Sequence, residues 1–80
     1  RDRADRGGRM NAHERRIFAR KCKRHNITTE IRWKWWGGDF WIPLIDGWHV
    51  EWDSPRGPEP VYLRSPMAAL RYALNHAEQS

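Results

Sequence analysis

Residues 27–52 read ITTEIRWKWWGGDFWIPLIDGWHVEW and hold all six tryptophans of the chain. From 27 to 36 the side chains alternate. Ile27, Thr29, Ile31, Trp33 and Trp35 point one way, and Thr28, Glu30, Arg32, Lys34 and Trp36 point the other. Period-two alternation predicts a half-buried strand. Gly37-Gly38-Asp39 then predicts a turn, since glycine takes positive φ without steric cost. Residues 40–45, FWIPLI, are apolar on both faces, and Pro43 removes a ladder donor. A second strand is expected there, at a sheet edge or bent at the proline. Asp46-Gly47 is a strong two-residue hairpin signal. Residues 48–53, WHVEWD, alternate again, with Trp48, Val50 and Trp52 inward and His49, Glu51 and Asp53 outward. The prolines of SPRGPEP (54–60) predict an irregular loop, and VYL (61–63) a short further strand.

This pattern sorts the indoles. Trp33, Trp35, Trp48 and Trp52 fall on inward faces beside Ile31 and Val50, and are expected in the core. A chain of 80 residues buries only about 60% of its unfolded surface, and each large aromatic buries about 150–250 Å². Trp36 shares the opposite face with Arg32 and Lys34, while Trp41 is out of phase with Phe40, Ile42 and Leu44. Trp36 and Trp41 are therefore expected on the uncovered side of the sheet. The alternative is that the N-terminal helix covers that side and buries both as a second small core.

Two helices flank the sheet. Residues 11–25, NAHERRIFARKCKRH, have Asn11 as N-cap and Glu14 three residues on, a capping-box spacing. Met10, Ile17, Phe18 and Cys22 gather on one side of this helix; Arg16, Arg20, Lys23 and Arg24 gather on the other. Ser65-Pro66 opens the second helix, whose apolar stripe is Met67, Leu70, Leu74 and Ala77. Residues 1–10, RDRADRGGRM, have no hydrophobic period and read as a flexible Arg/Gly-rich arm. The expected fold is α+β: one domain over 11–80, a three-stranded antiparallel sheet with a helix at each end (α-β-β-β-α).

Charge is unevenly distributed. The net charge is +5, but residues 1–25 hold ten basic and three acidic side chains, and residues 26–80 hold five and seven. A cationic helix face and arm point to an anionic partner: nucleic acid first, an acidic protein surface second. Cys22 is the sole cysteine, which fits a reducing, cytoplasmic setting. No apolar run has the length of a membrane span. Cys22, His25 and the dispersed His13, His49 and His76 lack paired metal-ligand spacing. No nucleophile triad, phosphate-cradling glycine loop or dinucleotide fingerprint appears. No enzyme activity, cofactor, metal or small-molecule substrate is expected.

Residues 47–74 resemble the last two strands and helix of AP2-type and integrase N-terminal DNA-binding domains. The likeness rests on Trp48 and Glu51, the Pro55-Arg56-Gly57 turn, Val61 and Leu63, and Ala68, Ala69, Arg71 and Ala73. It implies a three-stranded sheet that enters the major groove, backed by an Ala-rich helix. Here His49, Glu51 and Asp53 occupy the outward positions where those families place arginines. Helix-strand-strand-strand-helix order is also similar to double-stranded-RNA-binding domains, whose second helix opens with lysines rather than Ser65-Pro66-Met67.

The expected function is that of a small nucleic-acid-binding protein, DNA more than RNA, such as a phage or mobile-element regulator. Arg9, Arg16, Arg20, Lys23 and Arg24 would meet phosphates, and Arg32, Lys34, Trp36 and Trp41 the bases or grooves. The alternative is a protein-binding module or inhibitor, docking on a partner protein through Trp36, Trp41 and the run Ile42-Pro43-Leu44-Ile45, with the basic helix on an acidic patch.

Overall fold

The computed structural model describes residues 10–79. The arm expected over 1–10, including Arg9, lies outside them apart from Met10. Helix α1 (Ala12–Arg24) begins with the expected capping box. The Glu14 N–H donates to Asn11 Oδ1 at 2.8 Å, and the Asn11 N–H donates to Glu14 Oε1 at 3.1 Å. After α1 the chain reverses through Asn26 in the left-handed region, φ 56°.

Strands β1 (Ile27–Lys34), β2 (Gly38–Ile45) and β3 (Trp48–His49) form an antiparallel sheet in that order. Asp46 and Gly47 take φ of 54° and 81°, the double left-handed conformation that a two-residue hairpin matching strand twist requires. The Asp46 N–H donates to Asn26 O at 3.0 Å, and Asn26 Nδ2 donates to Asp46 Oδ1 at 3.1 Å. The two left-handed corners thus hold each other. Helix α2 (Pro66–Glu78) starts where expected, with Ser65 Oγ accepting from the Ala68 N–H at 3.1 Å.

The fold is α+β, with the three-stranded sheet and terminal helices in the expected order and a second, two-stranded sheet added. The expected third strand over 48–53 breaks at Val50. Its N–H donates to Pro43 O at 3.0 Å and its carbonyl accepts from the Val61 N–H at 3.2 Å. The chain then leaves the first sheet. Residues 54–60 are no irregular loop: β4 (Glu51–Ser54) pairs with β5 (Gly57–Pro60). The prolines are tolerated because a two-stranded ribbon leaves outer edges needing no donor. Ser54 Oγ donates to Gly57 O at 2.7 Å and accepts from the Arg56 N–H at 3.1 Å. Residues 61–63 form no strand; Leu63 makes one bridge, exchanging bonds of 2.7 and 2.9 Å with Trp41.

Cys22, Ile27, Val50, Val61, Ala73 and Leu74 form the core, with Phe18, Ile45, Leu63, Leu70 and Ala77 at its margin. Ile27 and Ile45 are cross-strand partners, so both helices lie on the sheet face that these two share. The N-terminal helix therefore does not cover the second face. It packs beside α2, with Lys21 Nζ 3.5 Å from Glu78.

The expected tryptophan core is overturned. Trp33, Trp35, Trp48 and Trp52 are 68%, 81%, 79% and 47% exposed, and Ile31 is 55% exposed. Of the residues assigned inward with them, Val50 is buried. The alternation in β1 holds, but the covering layer is shorter than the strand. The chain leaves the sheet at Leu63, level with Trp41 and Ile31, and α2 then packs toward Ile27. The Trp33 row lies beyond it. Trp35 stands in the turn after β1, Trp48 in a two-residue edge strand, and Trp52 in the separate ribbon.

Candidate nucleic-acid interface

The α1 cations come together as the sequence predicts. Arg16, Arg20, Lys23 and Arg24 are all exposed. Glu14 is occupied by the cap and Lys21 by Glu78. Among the described residues, none of the four has a carboxylate within ion-pair distance. Lys23 and Arg24 also lie in the last turn, where the helix dipole favours positive charge. That accounts for two of the four and leaves Arg16 and Arg20 without a structural partner.

Arg32, Lys34 and Trp36 gather elsewhere, on the sheet face away from the helices. Arg32 lies opposite Phe40, and His49 opposite Leu44. The Arg32 guanidinium reaches His49 Nε2 at 3.1 Å, spanning the row of Ile42, which is fully buried. Arg32 also donates to Glu30 at 3.0 Å. Lys34 Nζ stands 4.7 Å above the Tyr62 ring. Phe40 is the hub: Trp36 lies 5.2 Å from it, Tyr62 5.8 Å, and the Arg64 guanidinium 4.3 Å over its face. Arg64 also donates to Gly37 O at 2.8 Å. A Cβ at Gly37 would come within 2.7 Å of the Phe40 ring, so glycine there admits the hub.

This layer sorts the remaining candidates. Trp36 is 57% exposed and belongs to the expected group. Trp41 does not: it is half-buried, and as cross-strand partner of Ile31 it sits on the helix face. Its expected place on the uncovered side is corrected by that register. The run Ile42-Pro43-Leu44-Ile45 is no docking surface either, since Ile42 and Pro43 are fully buried. Sequence reading missed Tyr62, Arg64 and His49. The available signal was the alternation around Leu63, which faces the core while Tyr62 and Arg64 face Phe40. The α1 cations and the sheet cations occupy different layers and do not form one continuous cluster.

Cys22 is buried, and desolvation raises its thiol pKa above the ordinary value. A thiol held in that form is a poor nucleophile. Among the described residues, no three His, Cys, Asp or Glu side chains gather to hold a metal ion, and no helix is long and apolar enough to cross a membrane. Comparison with protein-family models, curated proteins and solved structures yields no match to this chain.

Proposed function

We propose that the chain is a small non-enzymatic nucleic-acid-binding protein with DNA as the favoured ligand. One observation carries this reading: Arg16, Arg20, Lys23 and Arg24 form an exposed single-sign surface whose charges no described carboxylate neutralises. Such a surface suits phosphates, whose neutralisation releases counterions. The aromatic and cationic layer of Trp36, Tyr62, Lys34 and Arg64 adds rings that stack on bases and charges that meet the backbone. The AP2-type resemblance supports the same reading. Anisotropy titration of labelled duplex DNA, duplex RNA and single strands across a salt series tests it. Arg16→Glu with Arg20→Glu is expected to weaken binding and to flatten the log–log salt slope by about 2. Unchanged affinity and slope would remove α1 from the interface.

A second reading, docking on another protein, is favoured by the exposed Trp33 and Trp35, which continue the row of the exposed Ile31. Contiguous exposed apolar groups mark interaction surfaces, and tryptophan is enriched among interface hot spots. Loss of a protein complex in Trp33→Ala and Trp35→Ala, with nucleic-acid binding intact, would favour it.

A further inference from the structure

Strand β1 is the outer strand of the three-stranded sheet, and its far edge has no strand partner among the described residues. Its pairing with β2 runs unbroken from Ile27 to Lys34 without a bulge, and it contains no proline. Long edges of that kind are templates for another strand. We propose that two copies of this chain pair through β1, antiparallel about a two-fold axis at Ile31, and that Trp35 of each copy seats in an apolar groove of the other. This dimer does not draw on the nucleic-acid reading.

The register follows from charge. In a two-fold strand pair, each residue faces a partner at a fixed sum of positions, and both helix layers share a side only when the axis passes through a residue. An axis at Glu30 sets two carboxylates face to face; one at Arg32 does so for two guanidiniums. An axis at Trp33 opposes Arg32 to Lys34. An axis at Thr29 joins no charges and shortens the overlap to Ile27–Ile31. At Ile31 the overlap runs from Thr28 to Lys34, and Glu30 meets the partner's Arg32 twice. Directly opposed unlike charges favour a cross-strand pair and like charges oppose it. Glu30 already holds its own Arg32 at 3.0 Å, so the axis closes a ring of four alternating charges.

The apolar groups fall into place in the same register. The 55%-exposed Ile31 meets its own copy, and Trp33 covers the partner's Thr29. Trp35, the most exposed indole at 81%, comes level with the partner's Ile27. Ile27 borders a groove between α1, the start of β1 and the start of α2, lined also by Phe18, Ala19, Cys22, Met67 and Leu70. That groove lies on the helix side and extends to Thr28 of the free-edged strand. The result is a six-stranded sheet with all four helices on one side and the Arg32, Lys34 and Trp36 layers continuous on the other.

Cysteine pairing on nuclease-treated protein tests the register. Cα atoms opposed across an antiparallel pair lie about 4.5–5.5 Å apart, within disulfide reach. Under mild oxidation Ile31→Cys is expected to cross-link to itself. Thr29→Cys and Trp33→Cys should cross-link to each other when mixed but not alone, since each is displaced from its own copy by about 13 Å. The unaltered chain, with Cys22 buried, should give no cross-link. In sedimentation equilibrium, Glu30→Arg is expected to weaken dimerisation at least tenfold, Glu30→Arg with Arg32→Glu to restore it, and Trp35→Ala to weaken it with the fold retained by circular dichroism. A monomer throughout the micromolar range overturns the proposal. So does any other cross-linking pattern, failure of the charge swap to rescue, or a dimer indifferent to Trp35.

Discussion

The β1–β2 hairpin has two ends built from the same alternating pattern and treated oppositely. At one end Ile27 and Ile45 lie under α1 and α2, with Ala73 and Leu74 packed on them. At the other, Ile31, Trp33 and Trp35 stand in solvent although they continue the same row of the sequence. Eight strand residues span about 26 Å. The chain leaves the sheet level with Trp41 and its helix packs toward Ile27, so the outer rows have no lid. Alternation reports which side chains share a face; burial additionally requires another element to reach that face. Large apolar groups left without a lid are the places to look for a partner.

The contrast can be broken or sharpened by substitution. Leu74→Ala, at the covered end, is expected to cost about 2–5 kcal/mol, as deletion of a buried leucine does, read by urea denaturation. A loss below 1 kcal/mol would mean that this end is not the core. Gly37→Ala probes the second face. Its Cβ would press on Phe40 at 2.7 Å, and overpacking of that kind costs about 1–3 kcal/mol. A chemical-shift change at the Phe40 and Tyr62 rings should accompany it. Asn11→Ala removes the capping box of α1 and is expected to cost about 0.5–2 kcal/mol, with reduced amide protection in the first turn. Smallest of all, Trp48→Ala at the exposed edge should change stability by no more than about 0.5 kcal/mol. A cost comparable to that of Leu74→Ala would show that the open indoles are structural after all.

Local chemistry accounts for what the sequence alone determined. The cap of α1 at Asn11, the hairpin at Asp46-Gly47, the start of α2 at Ser65-Pro66, the α+β element order and the cationic stripe of Arg16, Arg20, Lys23 and Arg24 were all legible. Each depends on side chains a few positions apart, within one helix or turn. The second ribbon was hidden because prolines usually end strands, and only pairing between Glu51–Ser54 and Gly57–Pro60 makes them acceptable. Tertiary structure alone decided the fate of the indoles. Whether Trp33 or Ile27 is buried depends on where α2 crosses the sheet, a contact between segments some forty residues apart. The assembly of Phe40, Trp36, Tyr62 and Arg64 likewise waited on the single bridge that brings Leu63 beside Trp41. Period-two alternation assigns a residue to a face of its strand; only packing between distant segments decides whether that face meets another element or water.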